Sequence, residues 1–264
     1  MPEITDVDVE RAGPVTVLQL SNPGKKNAFD RHMLDRLTTE LVRASRDPEV
    51  RVIVLTGSGD AFCAGGDISG MGDKSDATSH LTYLTDHIHT VSRTLISCPK
   101  PTIAMINGPA VGAGLDIALA CDLRVAARSA VLREAYVRVG LSAGDGGAWL
   151  LPRIIGRGRA LDLLLTARAV NAEEAEDIGL VTLAVPDAEL RERTLALARR
   201  LHEMPPNALT AMKRLVNDCA ETSFSTGLSL SAHSVAVLQS SDEHAEAIRR
   251  TRERRNAGNA GRTV

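Results

Sequence analysis

The stretch AVGAGLDIALACD, Ala110 to Asp122, sets three small residues, Gly112, Ala113 and Gly114, ahead of an apolar run that contains one acid, Asp116. Small residues at a helix start leave backbone N–H groups without intrahelical partners. A carboxylate inside an apolar run is costly to desolvate, so it is expected to be paired or at work. Immediately upstream, KPTIAMING (Lys100 to Gly108) reads as a buried strand. Strand, small-residue turn and helix therefore follow one another, and that order points to an α/β core.

A second stretch shares the design. RVIVLTGSG (Arg51 to Gly59) is a nearly continuous apolar strand, as a strand covered on both faces should be, and FCAGGDI (Phe62 to Ile68) follows it. Two such turns side by side could hold one carbonyl oxygen between two N–H donors. One donor of that kind stabilises the charge of a forming enolate by about 3–4 kcal/mol. Close packing of turn against helix explains a single glycine-rich turn equally well. Neither turn carries the Lys-Ser or Lys-Thr of a phosphate loop, and the spacing is wrong for a dinucleotide fingerprint.

Outward from these turns, VTVLQLS (Val15 to Ser21) alternates as a strand, and Asp30 to about Arg46 is amphipathic, with Met33, Leu34, Leu37, Leu41 and Val42 on one face. Residues 69–79 read as a polar loop before a helix from about Ser79 to Ile96. CDLRVAA gives another short strand, and EEAEDIGLVTLAVP gives helix, glycine stop and strand. Long amphipathic stretches run from about Asp187 to the end, with Pro206 suited to a helix first turn. These signals divide the chain into an α/β core over residues 1–200 and a helical C-terminal region over 201–264.

Composition removes several function classes. The 264 residues carry a net charge of −2 and 2 % aromatics, which gives neither the basic footprint nor the stacking platform of a nucleic-acid binder. The longest apolar tract is broken by Asn107, glycines and Asp116, so no bilayer span is expected. Four widely spaced cysteines and seven histidines show no metal-ligand spacing; they suit reduced thiols in a cytoplasmic protein, as does an acidic N-terminus without a signal pattern.

Taken in order, AFCAGGDI, KPTIAMINGPAVGAGLDIALACDLRVAA and VGLSAGDGGAWLLPRIIGRGRALDLLLTARAVNAEEAEDIGLV resemble the crotonase superfamily, the enoyl-CoA hydratase/isomerase family, over roughly residues 10 to 255. The resemblance implies a spiral of ββα units with a helical C-terminal region that covers the site and mediates assembly. It also implies homotrimers or hexamers, and acyl-CoA thioester substrates handled without metal or redox cofactor. The family's two oxyanion donors then fall on the N–H groups of Gly66 and Ala113. Its adenine-contacting region falls on Ala64, Asp67 and Ile68, Met71 joins the pocket lining, and Lys25 and Lys26 lie in the loop that lines the CoA. The last of these read equally well as two solvated charges.

Family hydratases use two glutamates. The first position here is Asp116, one turn into its helix, where burial would raise its pKa toward the working range; a helix-dipole partner is the other reading. The second position falls on Tyr136, whose phenol is a poor base at neutral pH. Glu134, two residues earlier, would share the face of Tyr136 on a strand but not on a helix. Asp145, in SAGDGGAW, is either a working acid or the N-cap of the next helix. His87 and His89 lie on the helix that in the family helps wall the acyl pocket, with Met71, Leu84 and Ile88 as its expected lining. Asp116 is thus expected to carry protons, with Tyr136 or Asp145 in the second role, for hydration or double-bond isomerisation of an enoyl-CoA. A CoA-ester C–C hydrolase or decarboxylase, and a non-catalytic acyl-CoA-binding protein, are the alternatives.

Overall fold

In the computed structural model, which describes residues 5–67 and 76–260, the chain opens with a hairpin. Strand β1 (Asp6–Ala12) reverses at Gly13, φ +64°, into the antiparallel β2 (Val15–Ser21). The acids and the arginine of β1 leave it largely exposed, as suits an edge strand. Helix α1 (Arg31–Arg46) begins where Asp30 accepts a hydrogen bond from the Met33 N–H at 2.9 Å, and it buries Met33, Leu34, Leu37 and Leu41. Strand β3 (Val52–Gly57) returns parallel to β2 and is buried throughout.

Helix α2 (Ala77–Tyr83), capped by Asp76, runs through a π turn at Leu84–Ile88 into α3 (His89–Ser97). The single helix expected from Ser79 to Ile96 is therefore interrupted. Strand β4 (Thr102–Ile106) pairs parallel with β3, and after the short β5 (Ala110–Val111) comes α4 (Ala113–Ala120), all eight residues of which are buried. Strand β6 (Leu123–Ala127) extends the sheet, and β7 (Val131–Arg133) leads to a 3-10 turn at Tyr136–Val139. Helices α5 (Gly147–Ile155) and α6 (Arg157–Thr166), strand β8 (Val170–Asn171), helix α7 (Ala172–Asp177), strand β9 (Leu183–Val185) and helix α8 (Leu190–His202) complete the α/β part.

The main sheet has the order β1-β2-β3-β4-β6-β9, and β5, β7 and β8 form a second, three-stranded sheet. Alternate residues of the central strands serve two faces. Leu18, Leu20, Ile53, Leu55, Ala104 and Ile106 join the large cluster that contains α1, α3 and α4. Val15, Val17, Val52, Val54, Ile103 and Met105 pack with Leu190 and Ala198 of α8.

Residues 202–264 separate as a second compact unit. Its helices are α9 (Pro206–Cys219), α10 (Phe224–Gln239) and α11 (Asp242–Ala260). The Glu243 carboxylate accepts from the Asn207 N–H at 3.0 Å, which ties α11 to the α9 start. No side chain described in this unit is buried, and Met212, Val216, Phe224 and Val237 are strongly exposed. Among the described residues no helix is long and apolar enough to cross a membrane.

The two small-residue turns lie against each other. Phe62 N–H and Cys63 N–H both donate to Pro109 O at 3.1 Å, and Val111 N–H donates to Cys63 O at 3.0 Å. Gly114 sits so close that a Cβ there would come within 2.4 Å of Cys63 O. Gly114→Ala must therefore push backbone from backbone. We expect a loss of about 1–3 kcal/mol in urea denaturation; an unchanged midpoint would show that the turns are not in contact.

Candidate active site

Contact between the turns leaves two amides free. Gly65, φ +90°, approaches the start of α4 so closely that a Cβ on it would lie 2.8 Å from Val111 O and 3.5 Å from Ala113 N. Neither the Gly66 N–H nor the Ala113 N–H donates to an acceptor among the described residues. Two unpaired N–H groups on touching turns are what a carbonyl oxygen acquiring charge requires.

Beside them stands a cluster of acids. Asp116, in the first turn of α4, is wholly buried, with its Oδ1 facing the Gly147 backbone: a Cβ at position 147 would fall 2.2 Å from that oxygen. The Tyr136 hydroxyl lies 2.6 Å from Asp116 Oδ2 and 2.9 Å from Asp145 Oδ2. The Tyr136 ring rests over Gly112. Asp145 is not the cap of α5, since that position is Gly146 without a side-chain bond; Asp145 turns to Tyr136 instead.

The turn that carries Asp145 is pinned from α3. Ser92 Oγ donates to Asp145 O at 3.1 Å, and the His89 Nε2–H donates to Gly144 O at 2.8 Å. His87 meets Asp35 through Nδ1 at 2.6 Å and accepts from Arg31 Nε at 2.8 Å, which makes it a clip between the π turn and α1.

Glu134 was missed as a site residue. It is 1 % exposed and faces Asp116 and Asp145. Position alone could not assign it, because the chain leaves β7 before Glu134 and enters the 3-10 turn at Tyr136, so neither strand nor helix periodicity applies. A glutamate two residues before an aromatic, just after a short strand, was the available signal.

Burial governs the proton affinities. It pushes Asp116 up to about 6, against the opposing pull of the Tyr136 hydroxyl and the nearby Gly147 N–H. Burial, and then the adjacent Asp116 charge, push Glu134 up to about 10. Asp145 is raised by burial despite the Tyr136 hydroxyl, and Tyr136 is raised by burial and by the acids around it. The phenol therefore keeps its proton.

The remaining expected residues lie at the rim of the first turn. Lys25 pairs with Asp67, and Ala64 N–H donates to Lys26 O at 3.0 Å, so these four positions share one loop neighbourhood. Ile68 and Met71 lie outside the described residues. Among the described residues no group of His, Cys, Asp or Glu could hold a metal ion.

A family model described as enoyl-CoA hydratase/isomerase matches residues 10–261. The chain belongs to the enoyl-CoA hydratase/isomerase family. Within it, a Rhodobacter capsulatus protein named "Probable enoyl-CoA hydratase" is 36 % identical over 94 % of this chain and 95 % of that protein. A 1,2-epoxyphenylacetyl-CoA isomerase from Escherichia coli is 35 % identical over 82 % of this chain and 83 % of its own length. The crystal structure of an enoyl-CoA hydratase from Bacillus anthracis superposes with a TM-score of 0.89 at 30 % identity, over 94 % of this chain and 96 % of that one. The fold is thus the crotonase fold of enoyl-CoA hydratases, as the sequence resemblance implies.

For a member of this family the acid cluster has a measurable cost. Glu134 would ionise near 4.5 in the unfolded chain but holds its proton to about 10 when folded. Between those limits the unfolded form binds fewer protons, so stability is complete below the lower value and falls as pH rises. Urea denaturation across pH 5 to 9 should show a decline approaching about 1 kcal/mol per pH unit from this group, and a shallower one in Glu134→Gln. A slope identical in the two proteins would place Glu134 in a solvated setting.

Proposed function

We propose that this protein binds an enoyl-CoA and moves its double bond by proton transfer between carbons. The observation that carries the reading is the hydroxyl of Tyr136 between two carboxyls, one of them, Asp116, entirely enclosed. Asp116 is the deeper of the two acids, 0 % exposed against 5 % for Asp145, which leaves Asp145 as the acid nearer an acyl carbon. The charge of Asp116 reaches the substrate side through Tyr136 and Asp145. A single chain of exchangeable protons with one outlet suits removal and return of the same proton; adding water calls for two carboxyls on the substrate side.

In this reading the thioester oxygen sits between the N–H groups of Gly66 and Ala113. Asp145 takes a proton from C2 of a 3-enoyl-CoA, and the C–H electrons pass into a dienolate with its charge on the thioester oxygen. The proton then returns at C4, and the double bond becomes C2=C3. Atoms and charge balance without metal, redox cofactor or co-reactant. Before the first step the Asp145 proton passes to Tyr136 and the Tyr136 proton to Asp116, which leaves Asp145 as the base. Asp116, expected to exchange protons with the substrate itself, thus acts as the partner charge. Lys25, Lys26, Ala64 and Asp67 form the side toward which the CoA extends.

Hydration of a 2-enoyl-CoA is the second reading, favoured by the names of relatives such as the Rhodobacter capsulatus protein. We further infer a cytoplasmic homotrimer or hexamer, because the apolar side chains exposed on α9 and α10 need a covering surface.

Steady-state assays separate the two reactions. We expect faster turnover of 3-enoyl-CoA to 2-enoyl-CoA than hydration of crotonyl-CoA, and a loss of about 10²–10⁴ in kcat for Asp145→Asn. Tyr136→Phe cuts the link between Asp145 and Asp116 and should lower kcat by a comparable factor. Hydration as the faster reaction, with Asp145→Asn unimpaired, would overturn the assignment.

A further inference from the structure

The hydrogen-bond inventory of the acid cluster does not close if every carboxyl is ionised. A phenol has one proton to give, yet two carboxyl oxygens lie within 2.6 and 2.9 Å of the Tyr136 oxygen. One contact is then a donated bond, and the other requires a proton on the carboxyl itself. Deeper in, both Glu134 oxygens and Asp116 Oδ1 are buried without a hydrogen-bond partner. The two acids act on each other, Asp116 raising the proton affinity of Glu134 and Glu134 lowering that of Asp116. Carboxylates only accept, so two ionised acids in contact leave each other unsatisfied. A single proton on one of them turns the contact into a charge-assisted hydrogen bond.

Which acid carries it follows from the surroundings. Asp116 has the Tyr136 hydroxyl on Oδ2 and the Gly147 N–H nearby, both of which favour its charged form. Glu134 has no such donor. The charges acting on it are Asp116 from α4 and Asp145 from the turn before α5, with the Tyr136 hydroxyl between those two. The cations near the cluster do not help it: His89 acts on Asp145, and Arg133, next in the chain, contributes nothing to Glu134.

We propose that Glu134 is a positioning residue of this site, a neutral acid whose hydroxyl is donated to Asp116 and so fixes Asp116 as the resident negative charge of the Asp116–Tyr136–Asp145 chain. Asp145 then rests as a neutral acid donating to the Tyr136 oxygen, and it becomes a base only when two protons shift one place inward. Glu134 touches no reacting atom; it acts through Asp116. The catalytic part of this inference rests on the proton-transfer reading above, whereas the protonation of Glu134 does not.

Infrared difference spectroscopy of the full chain tests the protonation directly. Wild type minus Glu134→Gln at pH 8 should contain a carboxylic-acid C=O stretch that moves on transfer to deuterated buffer. Its absence would mean that Glu134 is ionised, and would overturn the proposal whatever reaction the protein performs. The pH dependence of kcat/KM tests the positioning. Glu134→Leu removes the donor to Asp116 and should move the acidic limb upward by about one unit. Glu134→Gln keeps a donor without adding charge and should return the limb to its wild-type place. A downward shift in Glu134→Gln would reveal an ionised glutamate, and an unmoved limb in Glu134→Leu would reduce Glu134 to packing. Should Glu134→Leu not fold, the Gln shift and the infrared band decide by themselves. If no enoyl-CoA turns over while the acid band is present, the reaction is misassigned and the proton store stands.

Discussion

The backbone contact between the Cys63 turn and the α4 start is the constraint on which the rest depends. Gly114 against Cys63 O leaves no room for a side chain, and Gly65, in the left-handed region, completes the approach from the other side. Contact at that distance holds the Gly66 and Ala113 amides on neighbouring turns without a helix or strand partner. It also sinks the first turn of α4 into the core, which is why an acid in that turn is buried. The free amides and the buried Asp116 therefore share one structural cause.

The parts legible in the sequence are those fixed by local pattern. Val52 to Gly57 is apolar at every position but Thr56 and Gly57, and the chain buries it on both faces. Asp30, three residues before Met33, announced the α1 start. The two small-residue turns announced each other by likeness. Edge strand β1 went unread because its charges hide a weak alternation, and β5, β7 and β8 are too short for any period to register. The π turn at Leu84–Ile88 adds no residue type that a helix would lack, so its pattern passes for α-helix.

Within the site, pattern gave the identities but not the convergence. Asp116 could be placed by counting along its helix. Glu134, Tyr136 and Asp145 could not, because each lies where one element gives way to the next and their directions are set by packing. Asp145 shows the limit well. A carboxylate just before a helix normally bonds the first-turn N–H groups, but here Gly146, φ +130°, turns the chain so that the side chain meets a phenol instead.

A tyrosine in the place of a second glutamate is then better read as a link than as a lost acid. A carboxylate at position 136 would stand against Asp116, Glu134 and Asp145, and a fourth carboxyl in one buried cluster would have to be neutralised before the chain could fold around it. A phenol holds its proton throughout the working range, especially when burial and the neighbouring acids raise its proton affinity. It can donate to one carboxyl while accepting from the other, and a concerted shift reverses both roles without any heavy atom moving. The Tyr136 ring, packed over Gly112 at the entrance to α4, places this relay beside the Ala113 amide. In the proposed reaction one contiguous piece of structure serves both ends of the substrate, the Ala113 amide at the thioester oxygen and Asp145, linked through the Tyr136 hydroxyl to Asp116, at the acyl carbons.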